Sequence, residues 1–318
     1  MATRVLITVD TELTWRHHVA GADWRDNYAR SVEPGGVGLS YQLEKLREFG
    51  LKACFFIDPM PAAIFGLDPV KRMVETVLEG GQGVQLHCHP MWLDAAKHDS
   101  DPEKMRFELT EFGYDEQREI IAQAREWLIE AGAPMPVAFR SGSYAANTDT
   151  LRALRDLGFT YDTSHNGCEA PWPSAIDLPE HQITPAEEKG IVEIPVTQLR
   201  VPGGGLRHTQ ICAISRSEMR SGIDHAIKER LPVFTIVGHS FELATRDGQR
   251  PNRLIKARFD RLCAMLARRA DKAQTTHFAD LDRVPLDIPA HPVPISFFTV
   301  ANRMAEQLTA NMLEKVAL

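Results

Sequence analysis

Arg4-Val5-Leu6-Ile7-Thr8-Val9-Asp10, near the start of the chain, is an unbroken run dominated by β-branched residues. Such side chains fit a pleated backbone, and a run without polar alternation is the pattern of a strand covered on both faces. Strands of that kind belong to parallel sheets sandwiched by helices. The run ends in acid, Asp10-Thr11-Glu12. Working outward, Pro34-Gly35-Gly36 precedes a helical stretch to Gly50 that aligns Leu39, Leu43, Leu46 and Phe49 on one stripe. Lys52 to Ile57 reads as a second strand, closed by Asp58-Pro59, and residues 69–79 as a helix ended by Gly80-Gly81.

The third strand, Val84-Gln85-Leu86-His87-Cys88-His89-Pro90, ends in two histidines one residue apart, with a proline stop after them. Successive strand side chains point to opposite faces, so His87 and His89 project from the same face. Two imidazoles on one face suit a divalent metal, and a hydrolytic centre needs roughly one further protein ligand and an open position for water. A polar insertion, 93–114, leads to a helix from Asp115 to Ala131. Pro136 to Arg140 is strand-like and opens into the turn Ser141-Gly142-Ser143-Tyr144. A short helix from Asp149 to Leu157 precedes a strand from Phe159 to Asp162.

Residues 166–205, rich in Pro, Gly and Glu, read as loops around a short strand from Ile191 to Val196. A helix near Glu218 to Arg230, the strand Val233 to Val237 ending at Gly238-His239, a helix from Arg253 to Arg269 and a strand-like Thr275 to Phe278 complete the pattern. Strands alternating with helices in this number predict an α/β fold closing toward a barrel of about seven parallel strands. Residues 1–280 form that unit, and 281–318 are expected to be an appended extension with a terminal helix.

Composition sets the outer bounds. A chain of 318 residues, 43% hydrophobic and 25% charged, has ordinary globular proportions. The net charge of −7 offers no footprint for a nucleic acid, and the basic-leaning stretch from Arg246 to Lys272 reads as the solvated face of a helix. Five cysteines at scattered positions, 54, 88, 168, 212 and 263, suggest neither a disulfide framework nor a zinc knuckle. Without a signal-peptide pattern or a membrane-length apolar run, the expected location is cytoplasmic, with no membrane partner. The oligomeric state is not encoded legibly.

The chemistry is concentrated where strands end. Asp10, Glu12, His87, His89, Arg140, Asp162 and His239 all fall at C-terminal ends of predicted strands, the face on which β/α barrels build active sites. Each has a simpler reading as a cap, a turn residue or a surface charge, but their joint placement on five strand ends favours a site. A divalent ion, a free carboxylate, a histidine and an arginine suit metal-assisted hydrolysis, in which the ion polarises a carbonyl and lowers the pKa of water while the carboxylate takes a proton.

The ordered series Thr8-Val-Asp10-Thr-Glu12, His87-Cys-His89-Pro90, Phe139-Arg140-Ser-Gly-Ser-Tyr144, Tyr161-Asp162-Thr-Ser164 and Ile236-Val-Gly-His239 resembles the motif series of the polysaccharide deacetylases, carbohydrate esterase family 4 or NodB-homology proteins, over roughly residues 4–280. The resemblance implies a distorted, incomplete β/α barrel with one divalent ion, zinc first and cobalt, nickel or manganese as the other candidates. It implies N-deacetylation of an N-acetylated sugar or polysaccharide; the alternatives are a small-molecule amidase on the same fold and an inactive carbohydrate-binding relative with aromatic loops at Trp92 and Trp172. Carried over by position, Asp10 is the general base and Arg140 the residue that holds it ionised. Tyr144 offers a backbone N–H to the oxyanion, His239 is the general acid, and Asp162 tunes it.

This chain departs from the family pattern at three places. Thr11 replaces a second aspartate, one residue rather than three separates His87 from His89, and Ser-Gly-Ser precedes Tyr144 where proline is usual. Asp10 and Glu12, two apart at a strand end, can both face the barrel mouth while Thr11 turns away. Glu12 is expected as the third ligand beside His87 and His89, leaving Asp10 as base; the competing assignment exchanges the two.

Overall fold

The computed structural model describes residues 2–98, 102–281 and 283–316, with side chains to residue 307 except at residues 98 and 102. Residues 282 and 317–318 of the 281–318 extension therefore lie outside the described chain. In sequence order the strands are β1 (Thr3–Thr11), β2 (Cys54–Ile57), β3 (Gly83–Cys88), β4 (Ala138–Ser141), β5 (Tyr161–Asp162), β6 (Ala186–Glu188), β7 (Ile191–Glu193), β8 (Gln198–Arg200), β9 (Leu206–His208), β10 (Val233–His239), β11 (Ala273–Thr275) and β12 (Val293–Pro294). The main sheet runs β10-β1-β2-β3-β4-β5-β7-β6, with β11 also paired to the start of β1. All its pairings are parallel except β6 with β7. The sheet curls into an open half-barrel with helices around it, the distorted, incomplete β/α barrel expected from sequence.

Alternation along the strands separates two cores. Val5, Ile7 and Val9 face the surrounding helices together with Phe55, Leu86 and Phe139. Leu6 faces the other way and packs with Phe56, Ala138, Tyr161 and Val233 inside the barrel. The inward row of β1 therefore continues from Leu6 through Thr8 to Asp10. Parallel register brings Asp10 beside His239 and His87 beside Arg140. This parity carries polar groups to the barrel mouth while the bottom stays apolar.

The expected strand at Thr275–Phe278 lies earlier, at β11, and Phe278 begins a 3-10 turn. Phe278 is fully buried and meets Phe56 edge-on at 5.6 Å, so it plugs the barrel floor instead of extending the sheet. The Pro- and Gly-rich segment after Asn166 contains more strand than expected: β6 to β9. β8 and β9 form a second small sheet with β12, which ties the 281–318 extension back onto the barrel. The extension's helix, Phe297–Val316, packs against the helix Arg216–Glu229. Among the described residues no helix is long and apolar enough to cross a membrane.

Candidate active site

Three side chains converge at the ends of β1 and β3. Glu12 Oε2 lies 2.7 Å from His89 Nε2 and 3.5 Å from His87 Nε2. The donor atoms of Glu12, His87 and His89 all fall within 4.8 Å of one another. Glu12 Oε2 is buried and without a hydrogen-bond partner. An orphaned carboxylate oxygen facing two imidazole nitrogens is a donor set that fits a divalent cation. His87 Nδ1 is 2.8 Å from the Arg140 carbonyl. That contact requires the proton on Nδ1 and leaves the Nε2 lone pair free for an ion, with the backbone carbonyl fixing the tautomer and the ring direction.

Burial opposes ionisation of Glu12, but the neighbouring His89 and His87 hold its carboxyl well below the usual range. His89 mirrors this: burial pulls its pKa down, yet Glu12 and Asp58 push it up to about 10. Asp58, at the residue after β2, is buried, and its pKa is raised to about 6 by that burial. It accepts the His89 backbone N–H at 3.4 Å and adds negative charge behind the cluster. In the sequence Asp58 stands out only as the residue that closes a strand before Pro59.

The one-residue spacing of the histidines has a geometric consequence in the turn that follows β4. A Cβ placed on Gly142 would lie 2.3 Å from His89 Nδ1 and 2.4 Å from its Cε1. The glycine is what admits the His89 ring to the cluster. Gly142→Ala is expected to keep the fold but displace His89, lowering ion affinity by about 10- to 100-fold, as loss of ligand support typically does. Titration with Co²⁺, followed by its visible absorbance, checks this; wild-type affinity in the variant would refute it.

Opposite the cluster stands Asp10, nearly buried. Arg140, fully buried, donates from Nη1 to Asp10 Oδ1 at 2.7 Å and from Nη2 to Thr8 Oγ1 at 2.8 Å. Burial raises the Asp10 pKa, but Arg140, followed by His87 and His239, holds it below the ordinary carboxylate value. Asp10 Oδ2 lies 3.8 Å from His239 Nε2. A base kept ionised and a histidine thus face each other across one small space.

The carboxylate behind His239 differs from the expected one. His239 Nδ1 is 3.0 Å from Glu242 Oε1, and Gln210 Nε2 also donates to that oxygen. Burial lowers the His239 pKa, but the Glu242 hydrogen bond and charge, with Asp10, raise it to about 9. Asp162, expected to tune His239, instead accepts from Ser164 Oγ at 2.8 Å and from the Ser164 N–H at 3.1 Å, beside Glu193. Strand parity explains the correction. Tyr161 faces the barrel interior, and Asp162 is in register with the outward-facing Phe139.

Tyr144 follows β4 in a tight turn where Ser143 and Tyr144 both take left-handed conformations, φ 53° and 60°. Non-glycine residues there are held in strain by their surroundings, a feature that clusters at functional sites. The Tyr144 ring packs 6.1 Å from His208, whose Nε2 is 2.7 Å from Gln210 Oε1. Trp92, read as a loop aromatic, is fully buried against Trp15 and Phe65, whereas Trp172 is exposed. Gln210 and Glu242 escaped the sequence reading, although Glu242 stands only three residues beyond His239.

No protein-family model matches the sequence, and comparison with curated proteins finds no match. Structural comparison does find relatives. A protein from Mycobacterium smegmatis assigned to the polysaccharide deacetylases superposes with a TM-score of 0.53 at 16% identity, covering 91% of this chain and 96% of that one. A family 4 carbohydrate esterase from Streptomyces lividans in complex with acetate gives 0.45 at 15% identity, over 87% and 92% of the two chains. A CE4 family pseudoenzyme from Bacillus anthracis gives 0.45 at 11% identity, over 86% and 64%. The architecture described above, an open and distorted β/α barrel, is therefore the fold of the Mycobacterium smegmatis protein.

Proposed function

We propose that this chain is a divalent-metal-dependent hydrolase of non-peptide amide bonds that removes the acetyl group from an N-acetylated sugar or polysaccharide. The observation that carries the reading is the pairing, across one barrel mouth, of a Glu12–His87–His89 donor set with an Asp10–His239 couple. Glu12, His87 and His89 would hold the ion, zinc in the first instance. When bound, the ion supplies Lewis acidity that polarises the amide carbonyl and makes water a better nucleophile.

The chain's own groups account for the proton movements. Asp10 takes a proton from the attacking water, and Arg140 keeps it ionised and fixed in direction. His239, protonated at neutral pH, donates from Nε2 to the departing amine, a poor leaving group unless protonated. Glu242 orients the imidazole through Nδ1 and stabilises its charge. The Tyr144 backbone N–H is the proposed donor to the developing oxyanion. The M. smegmatis protein, assigned to the polysaccharide deacetylases, adds support at the level of the fold. The test is direct: purified protein should carry about one divalent ion per chain and release acetate from N-acetylated sugars. Chelation should abolish that release and the metal restore it. Full activity after the ion has been removed would overturn the reading.

A further inference from the structure

Arg16 is a cation beside the site that the site's own acids leave without an ion pair. It lies four residues beyond Glu12, in the short helix Trp15–Val19. Its guanidinium carbon is 5.3 Å from the centre of the Phe241 ring, and that ring stacks on His239 at 4.9 Å with 30° between planes. Arg16, Phe241 and His239 thus form one contiguous run into the reaction centre. Arg16 Nε is buried with no hydrogen-bond partner, and among the described residues no carboxylate forms an ion pair with the guanidinium. Glu12, the obvious candidate, turns its Oε2 to His89 and His87 instead.

Arg246 is exposed and five residues beyond Phe241. Burial first, and then the Arg246 charge, lower the Arg16 pKa, with Glu12 offsetting them in part. Two like charges, one with a desolvated N–H left unmet, are an unfavourable arrangement unless an anion joins them. The guanidinium fork matches planar or tetrahedral oxyanions, whose lone pairs accept two N–H bonds together.

The geometry points to an oxyanion position beside the reaction centre: the N-acyl substrate carries a carboxylate or phosphate group that Arg16 binds. This rests on the amide-hydrolase reading and narrows its substrate class. If Arg16 served only to balance Glu12 at a distance, its removal would alter all substrates alike.

The test compares kcat/KM for N-acetylglucosamine with that for N-acetylmuramic acid, which adds a carboxylate, and for N-acetylglucosamine 6-phosphate. Zinc-loaded wild type, Arg16→Gln, Arg16→Lys and Arg220→Gln are assayed, the last a control for charge loss on the helix Arg216–Glu229. At least one anionic substrate is expected to be favoured about tenfold or more over the neutral one. That ratio should approach unity in Arg16→Gln, recover partly in Arg16→Lys and persist in Arg220→Gln. The anion showing the loss identifies its source, carboxylate or phosphate. A ratio indifferent to Arg16→Gln, or no anionic preference in wild type, overturns the inference while leaving the hydrolase reading intact. If no amide is hydrolysed, calorimetric binding of the same three sugars decides. Anion affinity that falls about tenfold in Arg16→Gln upholds the position without the hydrolase reading, and equal affinity overturns it.

Discussion

His239→Ala is expected to lower kcat by about two to four orders of magnitude, the usual contribution of a positioned acid, with ion content unchanged. His239 stands outside the three-donor group, and its Nε2 faces Asp10 instead. Glu242→Gln separates the acid's pKa from its presence. The folded-state pKa of His239 is raised to about 9, mainly by Glu242 against the effect of burial. The protonated, donating form therefore prevails below that value and is lost as pH rises through it. Removing the carboxylate lowers the pKa, so the alkaline limb of the kcat profile should move toward neutral pH by about one to three units. The same group contributes to stability below its unfolded pKa, near 6.5, and that contribution disappears as pH rises through the folded value. An alkaline limb unmoved in Glu242→Gln would remove Glu242 from the acid's environment and return the question of what tunes His239.

Asp10, His87 and His239 could be placed because each ends a strand whose preceding residues are apolar, and such ends meet at one rim of the barrel. The same rule brought Asp162 to the rim but could not aim it. A strand buried on both faces loses the polar alternation that would reveal parity, and Tyr161 and Asp162 are both buried. Only register with Phe139 shows that Asp162 faces away from the interior. Glu242 lies past the strand, in a loop whose path no periodicity predicts. Gly142 is further from view still. Its contribution is the absence of a side chain opposite His89, and an absence has meaning only once the neighbour from another strand is in place.

The remaining large effect separates the two carboxylates of β1 and the residue after it. Glu12→Gln should lower divalent-ion affinity more than about 100-fold, beyond the loss seen when only a ligand's support is removed. An amide presents a neutral oxygen where the donor set offers a carboxylate, and Glu12 Oε2 is the atom shared by both imidazoles. Asp10→Asn should retain the ion and lose rate instead, by about two to four orders of magnitude. The asparagine oxygen can still accept from Arg140, so the fully buried guanidinium is not stranded. Asp10→Ala would leave it unpaired, at a stability cost of about 3–5 kcal/mol, and so confound the measurement. Geometry favours this division of labour over its reverse. Asp10 Oδ1 is committed to Arg140 at 2.7 Å, and its Oδ2 faces His239. Glu12 reaches one methylene further and meets His89 and His87 directly. Calorimetric titration of both variants with Zn²⁺, alongside acetate-release rates, decides the matter: ion loss in Asp10→Asn with retention in Glu12→Gln would exchange the two roles.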